Sequence, residues 1–507
     1  MPAALTLPAL APLPQLARRT RLGERAAASL DAILAIAPSE ARAEIFAQLP
    51  RSERWRELNA RAAAAAGGVA SGSLGNARET RAVLGTLAPS ASPFEALALA
   101  GRMLKELGPS APQSVALAAP GAAAAGPHAL GALVSAALAH AFELPSFRKR
   151  GARHHRMRRI ETIGAAPRDL AYLEACARGN NLARYLTALP PNVLDARAYR
   201  RFIARLARER GLSFRWLGEA ALKRLGANAF LAVAAGNAER TAGLAHLAYR
   251  PASRRRGPPD LALVGKGILF DTGGTNLKPH RAMLEMHTDM AGSAVALATL
   301  DALARLDSPL AVDAWLAITE NRIGPRSYRP QDIVRAVNGV TIQVIHTDAE
   351  GRMALADTLA LAARAAPRLI VDFATLTGAC VYALTERMSG AFTNEPRLAE
   401  KLIAAGRASG ERVWGFPFDA DFDSDLESKV ADTLQCAVEG KGDHILAARF
   451  LSRFVPASIP WVHLDLSSAV RSGGLAHINT DVTGFGVRYA LELILKQRVL
   501  DGLGARR

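Results

Sequence analysis

At 507 residues the chain is too long for one ordinary hydrophobic core, and two domains are expected. Half of it is hydrophobic but only 6% is aromatic, so the core is built from Leu, Val, Ile and Ala, and no run of about 20 strongly apolar residues marks a membrane span. The formal charge of +17 favours anionic partners, although an Arg- and Ala-rich bias also follows from a GC-rich genome.

Residues 1–30 place apolar positions ahead of Arg18, Arg19, Arg21 and Arg25. That reverses the order of a secretory signal; an Arg-rich mitochondrial presequence is the other reading, against which stands the shortage of Ser. Up to residue 164 the sequence has short segments and many turn signals. Residues 114–119 suit a strand and 129–141 a helix, while the Ala/Gly stretches at 64–68 and 122–127 read as loops. Residues 147–159 carry Arg148, Lys149, Arg150, Arg153, His154, His155, Arg156, Arg158 and Arg159. They form either a solvated hairpin or interdomain loop, or a patch for phosphate backbones. No aromatics are interleaved for base stacking.

Helices are expected over 167–188 and 196–210, separated by Pro190-Pro191-Asn192. A strand at 213–217 and a short helix at 219–225 follow. Strands are then expected at 229–235 and 244–249, and a buried one at 260–264 ending in Gly265-Lys266-Gly267. This alternation continues to about residue 495 and predicts a mainly parallel, helix-covered sheet. Cys176, Cys380 and Cys436 have neither metal nor disulfide spacing and read as buried thiols in a reducing compartment.

Two stretches are dense in chemistry. In the first, Lys266, Asp271, Lys278 and Asp289 lie among glycines beyond a hydrophobic strand; it lacks the GxxxxGK[ST] pattern of a phosphate loop. The second is Val344-Ile345-His346-Thr347-Asp348-Ala349-Glu350-Gly351-Arg352-Met353. An alternating apolar segment with Val340, Ile342 and Val344 precedes it, and a Gly- and Pro-free helical stretch over 353–366 follows. On extended backbone Asp348 and Glu350 point the same way. Gly351 permits a sharp turn, and Arg352 at the helix start suits a small anion. Taken alone, this is either a charged surface turn or a site. With Asp271 and Asp289, however, the carboxylates number four, and four brought together repel unless cations intervene. A pair of divalent ions, and hydrolysis by them, is the natural solution.

The sequence resembles the leucyl aminopeptidase (M17) family of metallopeptidases. The carrying segments are Val264-Gly-Lys-Gly-Ile-Leu-Phe-Asp271, Thr347-Asp-Ala-Glu-Gly-Arg352 and Asp372-Phe-Ala-Thr-Leu-Thr-Gly378, with the spacing from Lys266 to Asp289. Glu320-Asn321, Tyr328-Arg329-Pro330 and Pro190-Pro191-Asn192 agree with the flanking pattern. The resemblance spans about 182–487 and is faint in the first 165 residues.

It implies two metals: one on Asp271, Asp348 and Glu350, the other on Lys266, Asp271, Asp289 and Glu350. Lys266 would then be a neutral amine, its pKa depressed by the cations. Lys278 would stabilise the oxyanion, and Arg352, with Gly351, would hold a bicarbonate acting as general base. Met286, Thr375, Gly378, Ser467 and Val470 would line the pocket for the substrate side chain. Zinc or manganese is expected, with magnesium or cobalt as substitutes. Substrates would be peptides with a free N-terminus, and the assembly a cytoplasmic homohexamer with its active sites facing an internal cavity.

The fold class is α/β, with a smaller N-terminal domain (1–165) and a larger catalytic domain (166–507) built on a mixed, mainly parallel sheet. The alternative is a basic nucleic-acid-binding homologue, through Arg148–Arg159, or a structural homologue on the same scaffold. Departures from the family pattern are His346 for Asn, Met353 for Leu, Gln331 for Gly, Ser467-Ser468 for Ala-Gly, and an altered stretch at 436–444.

Overall fold

The computed structural model describes residues 6–108, 112–121, 128–149, 157–164, 170–254 and 256–503. The loop expected at 122–127 and most of the basic run at 150–156 lie outside them. With strands numbered in chain order, the first sheet contains β1 (Gln15–Arg19), β2 (Ala32–Pro38), β3 (Val69–Ser73), β4 (Arg81–Leu87), β5 (Ser114–Ala118) and β6 (Arg159–Ile163). Their spatial order is β1-β6-β5-β2-β4-β3, and every pair but β3–β4 is parallel. Successive side chains of β2 serve opposite faces. Ala32, Leu34 and Ile36 pack with the helices Pro93–Lys105 and Ala129–His140, whereas Ile33, Ala35 and Ala37 pack with Ser52–Ala64. The helix Pro93–Lys105 opens with a reciprocal cap: Glu95 N donates to Ser92 Oγ and Ser92 N to Glu95 Oε2.

The second sheet holds β7 (Ser213–Gly218), β8 (Gly243–Tyr249), β9 (Leu261–Asp271), β10 (Val312–Asn321), β13 (Leu369–Ala374), β14 (Ser389–Thr393), β15 (Val413–Gly415) and β17 (Trp461–Asp465). It is ordered β15-β14-β17-β13-β9-β10-β8-β7, with the central run from β17 to β10 parallel. A small third sheet joins β11 (Ile333–Arg335), β12 (Thr341–Gln343) and β16 (Thr433–Leu434). One face of the large sheet is covered by Leu170–Thr187, Ala196–Arg210 and Ala291–Arg305, the other by Asn228–Ala234, Glu350–Ala363 and Asp443–Ser452. β9 is therefore buried on both sides, as a near-continuous apolar run requires. The helices flanking the two large sheets pack together, with Leu173 and Ala177 in the core of the first sheet's helices and polar ties such as Arg488 Nη1 to Ser135 Oγ at 2.8 Å and Arg184 Nη1 to the Ala139 carbonyl at 3.3 Å.

Three expectations are corrected. Residues 229–235 are not a strand; Asn228–Ala234 is a helix, because a short apolar run without alternation fits either state and burial decides. β9 does not stop at Gly265-Lys266-Gly267 but continues to Asp271. Those glycines answer to packing: a β-carbon on Gly265 would stand 2.5 Å from Ser293 Cα, and one on Gly267 2.7 Å from the Ala317 carbonyl oxygen. The segment before Asp348 is extended only over Thr341–Gln343, in the small sheet, and the helix begins at Glu350 rather than Met353. Among the described residues no helix is long and apolar enough to cross a membrane. All three cysteines are buried and unpaired.

Candidate active site

The site forms where β9 and β13 end. β9 delivers Lys266 from its interior and Asp271 from its last position. Beyond Asp271 the chain turns through Gly273 and Gly274, whose φ angles of +87° and +66° suit glycine. The turn closes when Lys278 N donates to the Thr272 carbonyl at 2.9 Å. Lys278 Nζ thereby lies 3.0 Å from Asp271 Oδ2 and 2.5 Å from Asp348 Oδ1. Thr347 ties the two motifs together. Its hydroxyl donates to the Gly273 carbonyl at 2.7 Å and accepts from Asn276 N at 2.8 Å. Asn321, at the irregular end of β10, donates from Nδ2 to Asp271 Oδ1 at 2.8 Å and to the Thr347 carbonyl at 3.0 Å.

Asp348 sits in a tight turn, with Ala349 N donating to the His346 carbonyl, so it does not share an extended backbone with Glu350. The turn and the helix start nevertheless bring the two carboxylates together. Asp271, Asp348 and Glu350 each offer an oxygen, and these oxygens lie within 4.8 Å of one another. On the other side, Lys266 Nζ lies 2.8 Å from Asp289 Oδ1 and 3.0 Å from Glu350 Oε1, and donates to the Thr375 carbonyl at 2.8 Å. Thr375 Oγ1 donates to Asp289 Oδ1 at 2.7 Å. Six of the seven residues expected to form the metal and catalytic machinery converge; the seventh, Arg352, two residues beyond Glu350 on the same helix, bonds Asp443 instead.

Four carboxylates face two ammonium groups, which leaves an excess of buried negative charge. Burial and the Asp271 and Glu350 charges push Asp348 up to about 7, against the pull of Lys278. Asp289 and Glu350 are raised by burial and by their acidic neighbours, against Lys266. Burial alone would lower both lysines, but Asp289, Glu350 and Asp271 hold Lys266 charged, and Asp271, Glu350 and Asp348 do the same for Lys278. Asp289 Oδ2 and Glu350 Oε2 are buried and accept no hydrogen bond among the described residues. Such oxygens are ready-made donors for a divalent ion.

His346 Nδ1 accepts from Asp348 N at 3.2 Å, so this departure provides a hydrogen bond to the turn. Of the expected pocket residues, Met286 and Thr375 are half-buried, Gly378 is exposed, Val470 is half-buried and Ser467 is buried. The Ser467 hydroxyl donates to the Met388 carbonyl at 2.5 Å rather than standing free. Two residues were missed from sequence. Gln435 Oε1 accepts from Ile345 N and His346 N, and its Nε2 donates to the Ala349 carbonyl, bracing the whole turn. Asp443 bonds Arg352. Neither lies near the motifs in sequence, and only the altered stretch at 436–444 hinted at the second.

An α/β scaffold with a buried carboxylate and lysine pocket at its strand ends is a setting suited to metal-ion chemistry. More narrowly, the chain belongs to the cytosol aminopeptidase family: residues 181–491 match the model of that family's catalytic domain. It is 41% identical over 327 residues to a probable cytosol aminopeptidase of Synechococcus sp. (strain JA-3-3Ab), covering 64% of this chain and 63% of that one. It is 40% identical over 346 residues to one from Syntrophotalea carbinolica, covering 66% and 69%. The matched segment thus spans 63% to 69% of these relatives' length. Among solved structures, the bottromycin maturation enzyme BotP in complex with Mn superposes with a TM-score of 0.79 at 31% identity, covering 93% of this chain and 100% of that one. A lysine-to-glutamate mutant of tomato leucine aminopeptidase gives 0.83 at 28%, covering 97% and 99%.

Proposed function

We propose that this protein is an aminopeptidase that removes the N-terminal residue of peptides by two-metal hydrolysis. The observation that carries the reading is the meeting of Lys266, Asp271, Asp289, Asp348 and Glu350, from three separate segments, around buried carboxylate oxygens without hydrogen-bond donors. Asp271, Asp348 and Glu350 would hold one ion; Lys266, as a neutral amine, would hold the other with Asp271, Asp289 and Glu350. The expected ions are zinc or manganese, with magnesium or cobalt as substitutes. When bound, they polarise the scissile carbonyl and lower the pKa of water.

The chain's own residues do the rest. Lys278 stays charged beside Asp271 and Asp348 and can donate to the oxygen on which negative charge develops. Asn321 and Gly273 N hold Asp271 in one orientation. Thr375 does the same for Asp289. Met286, Thr375, Gly378, Ser467 and Val470 would receive the side chain of the residue removed. With the Ser467 hydroxyl already bonded to a carbonyl, that pocket is less polar than the residue type suggests. In the family pattern Arg352, with Gly351, holds a bicarbonate; in this chain its guanidinium already has a carboxylate partner. We further propose division into domains 1–165 and 166–507, a homohexameric assembly and a cytoplasmic location. The relatives are peptidases and lend no support to the nucleic-acid or structural alternative.

The test is cleavage of aminoacyl amides by protein loaded with Mn²⁺ or Zn²⁺. Unblocked substrates should turn over and their N-acetylated counterparts should not. Equal cleavage of blocked substrates, or of none, would remove the aminopeptidase assignment.

A further inference from the structure

Arg352 is 1% exposed, one of the largest fully buried side chains in the molecule. A guanidinium keeps its charge at any ordinary pH, and a buried charge without a counter-ion is strongly destabilising. The counter-ion here is internal. Arg352 Nη2 donates to Asp443 Oδ2 at 2.7 Å, and Nη1 reaches the Gln435 carbonyl at 3.4 Å, while Nε makes no hydrogen bond among the described residues. Asp443 lies 91 residues further along the chain. It is the first residue of the helix Asp443–Ser452, preceded by Gly442 at φ +61°. A helix N-terminus favours a carboxylate, and the left-handed glycine turns the chain into the helix at that point. Gln435, eight residues earlier, is stitched to Ile345, His346 and Ala349, so the segment carrying Asp443 is fastened to the same turn that presents Asp348.

We infer that Asp443 replaces the exchangeable bicarbonate: the chain supplies its own anion to Arg352, and the enzyme works without a carbonate cofactor. This rests on the reading of Arg352 as the anion-holding residue given above. Asp443 fills the anion's place on Arg352 as a positioning residue; the proton-accepting role that the family pattern gives to bicarbonate then falls to a carboxylate already in the site. Asp443 holds the guanidinium beside the helix start that bears Glu350, at the place where a dissolved anion would otherwise have to bind.

The experiment compares wild type with Asp443→Gly and Asp443→Ala in CO₂-free buffer, with and without added sodium bicarbonate, and sodium chloride at equal ionic strength as control. Two readouts are taken: turnover of the metal-loaded protein, and the melting temperature of the metal-free protein with binding of ¹³C-bicarbonate followed by NMR. Wild type should show no bicarbonate response in either. The variants should lose roughly 10- to 100-fold in kcat, the scale of one charge-assisted hydrogen bond. Bicarbonate should restore much of that loss, raise their melting temperature and bind. Adding Arg352→Met to Asp443→Gly should abolish that binding. Bicarbonate binding to wild type, or variants that bind none while folded by circular dichroism, would overturn the inference. If no form hydrolyses any peptide, the peptidase reading fails, and the NMR and melting data still decide whether Asp443 occupies the anion's place.

Discussion

Gly351 and Lys266 are in such close contact that a β-carbon on Gly351 would stand 2.6 Å from Lys266 Cε and 2.7 Å from its Nζ. The glycine of the Asp348 motif therefore makes room for the lysine of the other motif. Lys266 cannot simply swing aside, because Asp289, Glu350 and the Thr375 carbonyl hold its amine.

Gly351→Ala should thus displace Lys266 while leaving the fold intact. A misplacement of about 1 Å at a reacting centre costs on the order of 10²-fold. Steady-state kinetics should show that loss in kcat/KM, with an unchanged circular dichroism spectrum. An alanine variant within about threefold of wild type would mean that Lys266 is not held where the structure places it.

Beneath the site, Asp372 and His463 are paired across adjacent strands β13 and β17, with Oδ1 to Nδ1 at 2.7 Å. Trp461 Nε1 donates to Asp372 Oδ2 at 2.7 Å. Burial lowers the His463 pKa, but the Asp372 carboxylate more than offsets this and raises it. The stabilisation from the raised imidazolium is complete below its unfolded pKa and is lost as pH rises through the folded one. Asp372→Asn strands the ring and should cost about 3–5 kcal/mol, measured by urea unfolding near pH 6. A loss below about 1 kcal/mol would show that the pair is not charged.

Glu411 offers a second pH signature. Burial pushes its carboxyl up to about 7, although its Oε2 accepts from Gly486 N and Tyr489 N. A raised carboxyl favours the folded state fully below its unfolded pKa, and that advantage fades as pH rises toward 7. Glu411→Gln keeps an acceptor and removes the titration. Above pH 7 it should be more stable than wild type by up to roughly 3 kcal/mol, with the difference shrinking toward pH 5. Parallel stability curves for the two proteins between pH 5 and 8 would contradict this.

The site was legible in sequence to the extent that its residues lie in two short motifs. Lys266, Asp271, Lys278 and Asp289 come from one 24-residue span, and Asp348 to Arg352 from another. The alternation of helix and strand was equally legible where helices carry amphipathic faces and caps. Ala196–Arg210, with Asp195 capping Ala198 N, is an example. What failed did so for physical reasons. The Ala-rich run Asn228–Ala234 has no period to separate helix from strand. Gly265 and Gly267 look like turn residues in sequence, yet they are sites of close packing, Gly265 against Ser293 of a helix and Gly267 against the Ala317 carbonyl of β10. Gln435 and Asp443 act through contacts 83 to 91 residues away, which no local pattern records.

The measurement that bears most directly on the account is metal stoichiometry coupled to turnover. Protein stripped with a chelator should be inactive. Titration with Mn²⁺ or Zn²⁺ should bind two ions per chain and restore activity as the second site fills. Loading should also raise the melting temperature, since ligand at about 100 times its Kd stabilises by about 2.7 kcal/mol. The Asp348→Ala/Glu350→Ala chain should fold but bind fewer ions and stay inactive. Full turnover after complete chelation, or undiminished turnover in that double variant, would contradict the account.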